Sequence, residues 1–157
     1  MEFQYSQSAP SRRLILVIDG QGGRIGKLLV EQIKKRLPEH YILAIGTNSL
    51  ATAAMLKGGA DKGATGEQPV IYNAPRADLI IGPIGIIMAN ALMGEITPNA
   101  AAAVSSADAF KILIPMHRCN HLVVGFEEEV PLNQIIARAI DDVEAVFNNP
   151  TVFCDRL

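Results

Sequence analysis

Five consecutive aliphatic residues, Leu14-Ile15-Leu16-Val17-Ile18, run directly into Asp19-Gly20-Gln21-Gly22-Gly23-Arg24-Ile25-Gly26. An unbroken aliphatic run suits a strand covered on both faces, as inside a parallel sheet. Ile25, Leu28, Leu29, Ile33 and Leu37 then recur at helical spacing, with Lys27, Glu31, Lys34 and Lys35 between them and Pro38 closing the segment. Tyr41-Ile42-Leu43-Ala44-Ile45, ended by Gly46, supplies a second buried strand. Strand, helix and strand together make one βαβ unit with a right-handed crossover.

The remaining chain continues the alternation. Asn48 or Ser49 is placed to cap a second helix through Ala53 and Leu56, and Gly58-Gly59 offers it a left-handed exit. Lys62-Gly63-Ala64 reads as a short third strand, and Val70-Ile71-Tyr72 as a short helix with Pro69 in its first turn, a strand being the alternative. Leu79-Ile80-Ile81 forms a strand into Gly82-Pro83-Ile84-Gly85, followed by a helix that Gly94 ends; Thr97-Pro98 starts another. Ile112-Leu113-Ile114 and Leu122-Val123-Val124 read as the last strands, around a polar turn holding His117, Cys119 and Asn120. From Leu132, a terminal helix carries Ile135, Ile136, Ala139, Ile140, Val143 and Phe147 on one stripe. The expected fold is α/β: a single-domain, three-layer, Rossmann-like arrangement, its sheet mostly parallel and its helices on both faces. The domain is expected over residues 13–150, with a polar tail at 1–12 and a C-terminal tail at 151–157.

Composition restricts the function. The 157 residues suffice for about one domain, so separate cofactor and substrate domains are not expected. Fourteen basic against sixteen acidic residues give a net charge of −2, which offers no general attraction to nucleic acid or an anionic membrane. The longest apolar stretch, residues 79–92, is broken by Gly82, Pro83, Gly85 and Asn90 and is shorter than a membrane span. Two cysteines, Cys119 and Cys154, and an N-terminus without an apolar leader point to a cytoplasmic protein. At 49% hydrophobic residues, an uncovered apolar face and hence a homodimer are expected.

The glycine turn lies where the first strand enters the first helix. Phosphate oxygens approach closely only where side chains are missing, and a helix N-terminus presents unpaired N–H groups with a partial positive charge. A phosphate-bearing small molecule, such as a nucleotide, is therefore expected at Asp19, Gly20, Gln21, Gly22, Gly23, Arg24, Ile25 and Gly26, with Arg24 or Lys27 adding charge. A P-loop does not fit, because Gln21 stands where its first glycine belongs and Leu28 follows Lys27 where a hydroxyl is required. If the strand order begins 3-2-1-4, Gly82, Pro83, Ile84 and Gly85 line the same crevice. Thr47, Asn48 and Ser49, ending the second strand, would then hold a ribose hydroxyl or phosphate, or else only cap the next helix. Two features depart from a dinucleotide site: Asp19 puts a carboxylate beside the phosphate position, and the second strand ends without the acid that holds a ribose diol.

The turn Gly20-Gln21-Gly22-Gly23-Arg24-Ile25-Gly26 resembles that of the nucleotide-binding half of dihydrodipicolinate reductases. That resemblance implies binding of an NAD or NADP pyrophosphate. It carries no catalysis with it, because those reductases place their catalytic histidine and lysine in a second domain. A wider set, Ile18-Asp19-Gly20-Gln21-Gly22-Gly23, Gly46-Thr47-Asn48-Ser49, Gly66-Glu67, Gly82-Pro83-Ile84-Gly85 and Gly94-Glu95-Ile96-Thr97, is similar to a small bacterial family described only as a domain of unknown function. It implies no reaction. Three functional readings follow: a nucleotide-binding module, an NAD(P)-dependent oxidoreductase completed by oligomerisation with Glu95 or a partner subunit supplying substrate contacts, and a non-enzymatic structural or interaction protein. The last is favoured if Asp19 bonds to the turn's own N–H groups.

Other polar residues read as structural. His117, Cys119 and His121 lack structural-zinc spacing and a fourth ligand, and their turn is expected away from the crevice if the flanking strands form a hairpin. Asp61, Glu67 and Asp78 read as solvated loop carboxylates, His40 as a surface residue, and Glu127-Glu128-Glu129 as favourable charge before a helix.

Overall fold

A computed structural model describes residues 12–117, 120–126 and 129–149 of the chain. Its strands are β1 (Leu14–Asp19), β2 (Tyr41–Gly46), β3 (Lys62–Thr65), β4 (Leu79–Pro83) and β5 (Phe110–Ile114). The helices are α1 (Arg24–Arg36), α2 (Ser49–Lys57), α3 (Glu67–Asn73), α4 (Pro98–Ser106) and α5 (Leu132–Asn148). The sheet order is β3-β2-β1-β4-β5 and every pairing is parallel. β1 is therefore central, pairing with β2 from Leu14 opposite Tyr41 to Asp19 opposite Gly46.

Alternation along the strands builds two cores. Ile15 and Val17 face α1 and α5 beside Leu29, Ile33, Ile140 and Val143. Leu16 and Ile18 face the other way, onto Val70 of α3, Ala100 and Val104 of α4, and Ile86 of the short 3-10 turn after β4. Each fully buried aliphatic side chain stabilises the fold by about 1.5–3 kcal/mol before entropy is counted. Asn48 caps α2, its Oδ1 accepting from Ala51 N at 2.9 Å. Thr97 caps α4, with Pro98 in its first turn.

Three expectations are corrected. The helix expected between Gly85 and Gly94 is reduced to a 3-10 turn at Ile84–Ile87; beyond it Asn90, Leu92, Met93 and Gly94 all take left-handed backbone, so no continuous helix forms. Leu122-Val123-Val124 is not a strand: Leu122 is 77% and Val124 92% exposed, so the run joins neither core. His40 is 5% exposed, with Arg13 N donating to its Nδ1 at 3.4 Å and the Phe147 ring edge-to-face at 4.7 Å. Burial lowers its pKa, against the charge of Glu39. Asp61 and Asp78 fasten the amino edge of the sheet, accepting from Ile42 N at 2.8 Å and Leu14 N at 2.7 Å, away from the crevice. Cys119, Glu127, Glu128, Cys154 and both proposed tails apart from Arg12 lie outside the described residues.

Candidate functional site

In this strand order the connections from β1 and β4 leave toward opposite faces, opening a crevice above their carboxyl ends. A cavity of about 650 Å³ lies there. One wall is the turn from Asp19 to Ile25; Pro83, Leu92, Pro115, Met116 and His117 form the next. Phe126, Glu129 and the start of α5 at Leu132 and Ile135 complete it.

The turn is held by carboxylates. Asp19, 5% exposed, accepts from Gly20 N and Gly26 N at 2.7 Å each. Burial raises its pKa above the usual carboxylate range, against the Gly26 and Gly20 N–H bonds and with the nearby charge of Glu95. Glu95 Oε2 accepts from Gln21 N at 2.7 Å and from Thr47 Oγ1 at 2.5 Å, and Asn48 Nδ2 lies 3.3 Å away. Its burial would push the carboxyl up, but the Thr47, Gln21 and Asn48 bonds outweigh this and lower the pKa. Among the described residues, the N–H groups of Gly22 and Arg24 find no acceptor within the protein.

The glycines divide by what they approach. A Cβ on Gly20 would lie 2.5 Å from Glu95 Oε2 and 2.7 Å from Thr47 Oγ1; on Gly26, 2.5 Å from Met55 Sδ. Gly23 has φ +71° and sits against the Ala51 backbone. Packing explains these three. A Cβ on Gly22 would meet nothing within 4 Å, so this glycine faces open space.

The predicted residues therefore fall in separate places. Asp19, Gly20, Gln21, Gly22, Gly23, Arg24, Ile25 and Pro83 line the cavity. Gly26 lies behind it, and Gly82 packs against Ile18 O. Ile84 and Gly85 border a separate void of about 20 Å³. Thr47 and Asn48 are bound to Glu95, and Ser49 is the exposed first residue of α2. Met116, His117, Phe126, Leu132 and Ile135 are lining residues that sequence reasoning missed; the position of Pro115-Met116-His117 just past β5 was the available signal. His117 faces the crevice, but both ring nitrogens are engaged. Nδ1 accepts from Val123 N at 3.1 Å, which leaves Nε2 to donate to Phe126 O at 3.2 Å. Among the described residues no group of His, Cys, Asp and Glu is arranged to hold a metal ion.

The fold and crevice define a Rossmann-like, parallel α/β domain with its opening at the β1/β4 switch point. The chain belongs to the family described as Domain of unknown function (DUF3842), whose model matches residues 14–148. No curated protein matches it. Among solved structures it is similar to a dodecameric FMN-dependent Ubix-like decarboxylase from Escherichia coli O157:H7, at 17% identity and a TM-score of 0.43, covering 83% of this chain and 76% of that one. No helix among the described residues is long and apolar enough to cross a membrane.

Proposed function

We propose that this chain is a small-molecule-binding module that takes a nucleotide-type ligand in the crevice between the glycine turn and α5. The single observation that carries this is the cavity of about 650 Å³ at the switch point, bordered by Gly22, whose missing side chain no protein packing accounts for. The size and mixed lining suit a small organic ligand. Ile25, Met116, Phe126 and Leu132 would cover a ring system, while the N–H groups of Gly22 and Arg24 and the Arg24 guanidinium would reach a phosphate. Asp19 and Glu129 against the single guanidinium of Arg24 favour one phosphate group over several.

A second reading, a structural or interaction protein that keeps the turn as fold geometry, is favoured by one observation: Asp19 already takes two of the turn's N–H groups. The expected homodimer stays with this proposal, supported by the exposed Met93, Leu122 and Val124.

Thermal unfolding with AMP, FMN, NAD, NADP and inorganic phosphate, each with and without magnesium, separates the readings. A ligand at a hundred times its Kd stabilises the native state by about 2.7 kcal/mol and raises Tm. A shift with a nucleotide that Gly22→Leu removes supports the module; no shift with any probe supports the structural reading.

A further inference from the structure

A dinucleotide in a fold of this type lies across both halves of the crevice, its adenosine ribose at the end of β2 and its pyrophosphate on the glycine turn. Here the β2 half is already filled from within the chain. The β4–α4 connection crosses above the end of β1 and sets Leu92 and Glu95 directly over Gly20, where a Cβ would lie 2.8 Å from Leu92 Cδ1 and 2.5 Å from Glu95 Oε2. Glu95 then bonds to Gln21 N, Thr47 Oγ1 and Asn48 Nδ2, the groups that a ribose or a second phosphate at this position would need. Asn48 Nδ2 also donates to Gln21 O at 2.9 Å, tying the turn to the end of β2. Leu92 forms a wall of the main cavity, and none of Thr47, Asn48 and Ser49 lines it. NAD and NADP therefore do not fit the site in this arrangement.

We infer that the β4–α4 connection, fastened by Glu95 and backed by Leu92, closes the β2 half of the crevice and limits the ligand to a single nucleotide unit in the β4/β5 half. This deepens the proposed function and rests on it for the class of ligand. The closure itself rests on the internal contacts. The connection reaches its position through Asn90, Leu92 and Met93 in left-handed backbone, a conformation that persists only where surrounding contacts impose it. Asn90 N donating to Ile96 O at 2.7 Å and Gly94 N to Asn90 O at 3.1 Å are among those contacts.

Two measurements on the full chain test the inference. Amide hydrogen exchange at Gln21 does not depend on any ligand. Its N–H is expected to be protected in the native protein and to exchange at least about tenfold faster in Glu95→Ala. Equal rates in the two proteins overturn the closure. Calorimetric titration of AMP against NAD, and of FMN against FAD, reads the size limit. The mononucleotide of at least one pair is expected to bind at least about tenfold more tightly than its dinucleotide, and Glu95→Ala to narrow that gap. A dinucleotide that binds the unaltered chain as tightly as its mononucleotide overturns the size limit. If no nucleotide binds, the proposed ligand class fails, and the Gln21 exchange rates alone decide the closure.

Discussion

Asp19 Oδ2 lies 2.7 Å from the N–H of Gly26, seven residues further along the chain. With Oδ1 on Gly20 N at the same distance, this one buried carboxylate joins the end of the central strand to the first turn of α1. It occupies two of the N–H groups at this helix terminus and leaves those of Gly22 and Arg24 on the crevice side. Asp19→Ala leaves both N–H groups buried without an acceptor, at about 1–3 kcal/mol for each such group. Urea unfolding is expected to show a loss of at least about 2 kcal/mol; a loss under half of that would mean that water replaces the carboxylate and that the turn is open.

The two carboxylates of the site give opposite pH dependences. Asp19 has a raised native pKa, so between 3.8 and that higher value the folded chain binds more protons than the unfolded one. The stability linked to its protonation is full below 3.8 and is lost as pH rises through the native value. Glu95 has a lowered native pKa, so its contribution is present above 4.5 and is lost as pH falls through the native value. Unfolding free energies of the native chain, Asp19→Asn and Glu95→Gln across the acid range check both signs. The advantage of the native chain over Asp19→Asn should shrink as pH rises above 3.8, and its advantage over Glu95→Gln should shrink as pH falls below 4.5. Either difference changing in the reverse direction contradicts the corresponding assignment.

Much of this architecture is legible in sequence because its strands and helices carry their own signal. β1, β2 and β4 are runs of aliphatic residues buried on both faces, and α1 and α5 have regular apolar stripes. β3, Lys62–Thr65, has almost no apolar character and is held by pairing with β2 at the sheet edge, so composition indicates it only weakly. Leu122-Val123-Val124 fails for the opposite reason, since three apolar residues resemble a strand whether or not a partner pairs with them. Residues 88–96 contain enough Leu, Met and Ala to suggest a helix, but long-range contacts such as Glu95 to Thr47 select left-handed turns. That same contact engages Thr47, and Asn48 lies beside it, so two residues expected in the crevice are turned to Glu95 instead. Glu95 is 74 positions from Gln21, and no local pattern signals that its carboxylate returns to the glycine turn.

Substitutions at two glycines should separate folding from binding. Gly26→Ala places a Cβ 2.5 Å from Met55 Sδ and 2.8 Å from Asp19 Cβ, overpacking the seam between β1 and α1. Its expected effect is a stability loss of about 1–3 kcal/mol in thermal or urea unfolding. Gly22→Leu points into open space, so stability should change by less than about 0.5 kcal/mol, while any nucleotide-induced rise in Tm disappears. A Gly22→Leu protein that keeps an unaltered ligand shift would place the binding surface away from the turn.

Gly20→Ala tests the closure without altering a charge. The added methyl lies 2.5 Å from Glu95 Oε2, 2.7 Å from Thr47 Oγ1 and 2.8 Å from Leu92 Cδ1, so all three groups would have to retreat. Glu95 then loses contact with Gln21 N while Asp19 keeps its bond to Gly26, because the first contact is exposed and the second is buried beneath the turn's glycines. The turn should therefore stay folded while the β4–α4 connection lifts. In two-dimensional amide NMR, Gln21 and Thr47 are expected to shift and to exchange faster, whereas the Gly26 resonance should remain near its original position. If Gly26 moves as much as Gln21, the two carboxylates form one cooperative unit and the β4–α4 connection cannot open independently of the β1–α1 junction.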